Sequence, residues 1–176
     1  MTAPRLFFAL ATNALLCLSA ISASAEPGRT SRYTQQLYSS LTMQDAGETL
    51  DLLGLPYHAE AVNSGGVVAN TRLVVADGLV WFMYGYNCQG RIESCPELQL
   101  RAVITPEQTT QEPSWDLDYW NRQNRFVRAY QSGSGKAVIL EMDIYLAGGV
   151  ALTNITDQIL LWRQSLREFA LYLKIP

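Results

Sequence analysis

From residue 42 onward the hydrophobic period of the chain changes several times, and each change marks an element. TMQDAGETLDLLG has helical spacing, with Met43, Ala46, Leu50 and Leu53 on one face. Thr42 stands at its N-cap with Asp45 three positions on, a capping box built with the shorter acid. Gly54 suits the left-handed position after the last turn, and Pro56 prevents the helix from continuing.

Period-two alternation then takes over. Tyr57 to Asn63 alternates weakly, Ser64-Gly65-Gly66 turns the chain, and TRLVVADGLVWFMYGYNC sets Asp77-Gly78 between two β-branched or aromatic runs, which predicts a tight hairpin. ELQLRAVIT alternates again, with Leu98, Leu100 and Ala102 on one side, until Pro106 ends the run. Three antiparallel strands follow from these signals, with the weaker YHAEAVN a candidate fourth.

Pro113 and Ser114 introduce a short helix, WDLDYWNRQ. Ser114 is its expected cap, Asp116 and Asp118 lie in the first turn where acids suit the helix dipole, and Trp115, Tyr119 and Trp120 are expected to face inward. RFVRAYQ reads as a strand, Gly133-Ser134-Gly135 turns it, and AVILEMDIYLAGG returns. Along that return, Leu140, Met142, Ile144 and Leu146 point one way, and Glu141, Asp143 and Tyr145 the other. A final helix, capped by Thr153 or Asn154, repeats Ile155, Ile159, Trp162, Leu166, Phe169 and Leu173 at steps of three and four. Leu160, Leu161, Ala170 and Leu171 widen its apolar surface, so Trp162, Leu166 and Phe169 are candidate interface positions as well as core. The predicted order is α-β-β-β-α-β-β-α, an α+β fold with an antiparallel sheet flanked by helices.

The first residues change the picture of compartment. Arg5 precedes the apolar run LFFALATNALLCLSAI, and Ser-Ala-Ser-Ala closes at Ala25, the three parts of a secretory signal peptide. The run is broken by Thr12 and Asn13 and is shorter than the ~20 residues of a spanning helix, and no second candidate segment follows. The expected organisation is a signal peptide at 1–25 cleaved after Ala25, a linker or N-terminal arm at 26–41, and a domain at 42–176 in the periplasm or outside the cell.

Charge and cysteine usage agree with export. Removing Arg5 with the leader takes the 13 basic residues to 12 against 16 acidic ones, a net charge of −4. That balance excludes the basic footprint of a nucleic-acid binder. Cys88 and Cys95, in CQGRIESC, are expected to pair as a structural disulfide, because exported thiols pair and six intervening residues do not make a redox C-x-x-C.

Candidate chemistry is sparse. His58 is the single histidine, so any Ser-His or Cys-His pair would depend on it, and no metal-ligand cluster, P-loop or dinucleotide fingerprint is present. No catalytic residue, cofactor or metal is expected. The polar run WNRQNRFVRAY has two readings. Folding the hairpin about its glycines brings Arg128 to Glu141, a cross-strand ion pair. Alternatively Trp120, Asn121, Arg122, Arg125 and Arg128 line a site for a small anionic ligand.

The run DYWNRQNRFVRAY, a Gly/Ser turn, LEMDIYLAGGV and a long closing helix with Trp162 and Phe169 together resemble the YbjN domain family of bacterial sensory transduction regulators. The hairpin containing ADGLVWFMYGYNC is similar to that family's central hairpin, and the resemblance runs from about Leu41 to Leu173. It implies an α+β fold similar to type III secretion chaperones, with helices on one face of an antiparallel sheet and pairing as homodimers. It carries over no catalytic residue. The leader and the cysteine pair depart from the cytosolic members of that family. The expected function is an exported interaction module that binds a protein or peptide through its sheet face or closing helix, in a regulatory or stress-related role.

Overall fold

A computed structural model describes residues 36–64, 67–90, 93–108 and 116–175. The expected leader through Ala25, the first ten residues of the arm, the Gly65-Gly66 turn and the positions of Ser114 and Trp115 lie outside the described residues. Chain order is β1 (Leu37–Tyr38), α1 (Met43–Leu52), β2 (Tyr57–Ser64), β3 (Val67–Ala76), β4 (Leu79–Tyr86), β5 (Glu97–Ile104), a 3-10 turn (Pro106–Gln108), α2 (Leu117–Gln123), β6 (Arg128–Gln131), β7 (Val138–Tyr145), β8 (Val150–Ala151) and α3 (Leu152–Tyr172).

The α1 ends form as their residues dictate. Thr42 Oγ1 accepts from Asp45 N at 3.1 Å, and Asp45 Oδ2 accepts in return from Thr42 N at 3.0 Å, closing the capping box. Gly54 takes φ +64° just past the C-cap Leu53. The hairpin between β3 and β4 turns on Asp77 (φ 57°) and Gly78 (φ 74°), the pair of left-handed residues that a two-residue turn of this kind needs.

The main sheet has six strands in the order β2-β3-β4-β5-β7-β6, every neighbour antiparallel. Tyr57–Ser64 is a full strand along one edge, so four described strands of this sheet, not three, precede α2. A second, two-stranded pair joins β1 to β8 through Leu37↔Ala151 and Tyr38↔Val150. The chain entering α1 is also held by Leu41, whose N–H and carbonyl exchange bonds with Cys95 at 3.0 and 2.8 Å. Part of the expected arm is therefore paired backbone.

Three local expectations differ from the structure. The N-cap of α2 is Asp116, whose carboxylate accepts from Tyr119 N at 2.8 Å, so this acid caps the helix instead of sitting in its first turn. Tyr119 is 50% exposed while Trp120 is buried; a seven-residue helix turns only one narrow face inward. At α3 neither Thr153 nor Asn154 is the cap. Ala151 holds that position without a side-chain bond, because the preceding β8 strand runs directly into the helix.

The core lies between α3, α1, α2 and one face of the sheet. Trp81 from β4 meets Trp162 edge-on at 6.0 Å, and Trp120 from α2 lies 4.8 Å from Phe169 and 5.3 Å from Tyr172. On α3, Ile155, Ile159, Trp162, Leu166 and Phe169, with the C-cap Leu173, are all buried against this layer. Trp162, Leu166 and Phe169 thus face into the core. The apolar residues that α3 leaves outside are Leu160 and Leu171.

Candidate functional site

Alternation in the strands separates the sheet into two faces with different fates. Trp81 and Met83 on β4, Leu98, Leu100 and Ala102 on β5, and Leu140 and Met142 on β7 go to the helical layer and are buried. No helix among the described residues packs on the other face. Its centre is a row set by register: Leu73 opposite Phe82, Phe82 opposite Arg101, Arg101 opposite Glu141, and Glu141 opposite Arg128. Alternate residues of β4 add an aromatic ladder, with ring centroids 5.8 Å apart for Phe82–Tyr84 and 6.4 Å for Tyr84–Tyr86. Val75, Val80 and Val103 lie exposed on the same side, as does Tyr145.

The polar part of this face is organised around a buried carboxylate. Glu141 accepts from Arg128 and, at 2.7 Å, from the Tyr130 hydroxyl. The bond to Glu141 holds the Arg128 guanidinium above its ordinary pKa. Burial, followed by the bond to Glu141, raises the Tyr130 phenol. Burial likewise raises Tyr84, opposed by the positive charge of Arg101. The Arg101 Nε is buried and has no hydrogen-bond partner among the described residues. Beyond it, Gln99 donates to Asp143 at 2.8 Å and accepts from the Tyr86 hydroxyl at 3.3 Å. The face therefore combines aromatic and aliphatic surface with both signs of charge.

The five residues considered for an anionic ligand are placed in different environments. Trp120 points into the helical layer. Asn121 clasps β6, donating to the Ala129 carbonyl at 2.9 Å and accepting from Ala129 N at 2.8 Å. Arg122 is exposed in the last turn of α2, and Arg125 lies over the Phe126 ring at 4.9 Å. Phe126 has φ 68° and starts the turn that delays β6 until Arg128, which leaves Arg125 outside the strand. Arg128 alone reaches the sheet face, where it bonds Glu141.

Cys88 and Cys95 are joined as a disulfide. Among the described residues, no group of three or more His, Cys, Asp and Glu side chains has metal-site geometry. No helix among them is long and apolar enough to cross a membrane.

The fold and this surface define an α+β module with a one-sided helical layer. The family model YbjN, described as a putative bacterial sensory transduction regulator, matches residues 95–174. That span runs from Cys95 and β5 through the whole of α3, and so contains Arg101, Arg128, Glu141 and the α3 core positions. No curated protein matches the chain, and no solved structure matches it.

The aromatic ladder is the part of this surface that sequence reasoning missed. Its signal was present as Phe82, Tyr84 and Tyr86 at spacing two, but which face the helices would cover depends on packing that spacing alone does not reveal.

Proposed function

We propose that this chain is an exported regulatory module of the YbjN type, which works by protein binding and not by catalysis, and that its helix-free sheet face is the docking surface. The observation that carries the reading is a half-buried Phe82–Tyr84 pair continued by an exposed Tyr86, with the exposed Val75, Val80 and Val103 side chains, on a face that no described helix covers. A second copy of the chain is the partner that suits it. Arg101 and Arg128 share the face with Glu97 and Asp143, so a twofold-related copy can set each sign of charge against the other. The one-sided helical layer also agrees with the resemblance to type III secretion chaperones.

Export is supported by the Arg5-to-Ala25 leader pattern and by a disulfide of the kind that persists in oxidising compartments. A photo-crosslinking amino acid in place of Tyr84 tests the docking surface. It should yield a covalent dimer of this chain, whereas the same probe at Leu171, on the outer side of α3, should not. Crosslinking at Leu171 alone would place the interface on the helix and defeat the reading.

A further inference from the structure

The main sheet ends in two edges that the chain treats differently. At β6 the edge is four residues long, and the Asn121 side chain stands in for a neighbouring strand, accepting from the Ala129 N–H at 2.8 Å and donating to its carbonyl at 2.9 Å. At the other end β2 runs for eight residues, in unbroken register with β3 from Tyr57↔Val74 to Ser64↔Val67. No described strand lies beyond it. Edge strands are commonly guarded by proline, lysine, a bulge or shortness, and YHAEAVNS has none of these.

The phase of the ladder decides which backbone groups are left open. Val75 N–H donates to the Pro56 carbonyl at 3.3 Å, one step beyond the Tyr57↔Val74 pair. Bonded pairs alternate along an antiparallel ladder, so His58 and Glu60 bond inward to β3, and the N–H and carbonyl groups of Ala59 and Ala61 point outward. The Thr71 hydroxyl, which donates to the Glu60 carbonyl at 3.2 Å, agrees with that phase. His58, Ala59, Glu60 and Ala61 are all exposed.

Their side chains divide between the two faces. Glu60, the strand's single acid, lies on the helix-free side in one row with Thr71 and Tyr84. Ala59 lies on the helical side and lines a cavity of about 680 Å³, whose other walls include Thr42, Met43 and Gln44 at the start of α1. Because Ala59 is both exposed and part of that wall, the cavity adjoins the open edge.

We infer that β2 accepts an extended segment of a partner protein as a seventh, antiparallel strand. Backbone groups of the segment bond Ala59 and Ala61, and a basic residue stands opposite Glu60. The residues on either side of it are bulky and lie over the two alanines, the one opposite Ala59 entering the cavity. A second copy of β2 centred on the same residues sets alanine against alanine and leaves the cavity without a large side chain. This contact goes beyond the sheet-face one and uses edge backbone instead of the aromatic ladder.

The test is calorimetric titration of the purified, oxidised protein with acetyl-Ser-Thr-Tyr-Lys-Tyr-Thr-Ser-amide. Saturable binding is expected. Methylating the backbone nitrogen of either tyrosine removes a bond to the edge and should weaken binding at least about tenfold, whereas methylating that of the lysine, which faces away from β2, should change it by less than about threefold. Replacing the lysine by glutamate should weaken binding about fivefold, and Glu60→Lys should restore affinity for that acidic peptide. Ala61→Pro blocks the outward N–H at a position that an edge strand tolerates, and should abolish binding. Its melting temperature is measured alongside, and the methylated peptides decide the matter if that variant is unstable. No saturable binding at millimolar peptide, or equal effects of methylation at tyrosine and lysine, overturns the proposal. So does a homodimer that a folded Ala61→Pro variant dissociates, which would give the edge to a second copy.

Discussion

Arg128 and Glu141 stand directly opposite one another on β6 and β7, yet they share their pair unequally: the arginine side chain is 64% exposed and the glutamate 3%. The carboxylate is the buried member, and the Tyr130 hydroxyl is its second donor. Removing Arg128 leaves that carboxylate with one of its donors, while the exposure of the guanidinium limits what the pair contributes. Arg128→Ala is expected to lower stability by about 1 kcal/mol, and Tyr130→Phe by a similar amount. Denaturant melts of the two single variants and the double variant measure both, and the double should lose more than either single because they share one acceptor.

Arg122 and Arg125 should behave differently. Both are exposed, and neither joins the Glu141 cluster. Arg122→Ala and Arg125→Ala are expected to leave stability within about 0.5 kcal/mol of the parent. A larger loss in either would show that the arginines form a single structural unit.

Alkaline pH tests the tyrosines on the sheet face. The phenols of Tyr84 and Tyr130 are raised above the ordinary 10.0 in the folded chain. A raised folded-state pKa means that the unfolded chain loses the proton first, so this contribution is complete below about pH 10 and fades as pH rises through the folded values. Stability should therefore decline above pH 10, and the decline should be shallower in Tyr84→Phe and Tyr130→Phe. An ultraviolet titration of phenolate absorbance should show part of the tyrosine signal appearing late in the folded protein.

The disulfide and the glycine beneath it form one packed unit. A Cβ on Gly85 would sit 2.5 Å from Cys95 Sγ and 2.9 Å from Met43 Sδ, so Gly85→Ala must displace the bridge or the start of α1. The expected cost is about 1–3 kcal/mol. Reduction of the bridge should cost about 2–3 kcal/mol by loop-closure entropy, measured as a shift in denaturant midpoint with and without reductant.

Local chemistry was legible in the sequence wherever it was self-contained. Thr42 with Asp45, Asp77 with Gly78, and the alternation of Leu98, Leu100 and Ala102 each depend on neighbours a few positions away, and each forms as expected. Arg128 opposite Glu141 was legible because a glycine turn fixes the fold-back of the chain. Features made by distant segments were not. The β1–β8 pair joins residues more than a hundred positions apart and has no hydrophobic run to announce it. Trp120 and Tyr119 are equally aromatic, and only the placement of α2 against Phe169 separates the buried ring from the exposed one. The uncovered sheet face is defined by where the helices pack.

The most direct test of the central claim is the mass of the purified, oxidised protein by light scattering across a dilution series, for the parent chain and for Tyr84→Asp and Val80→Asp. The account predicts a concentration-dependent dimer that both substitutions convert to a folded monomer with an unchanged melting temperature at low concentration. A parent chain that is monomeric at every concentration, or a dimer that both substitutions leave intact, would contradict the assignment of the sheet face as the docking surface.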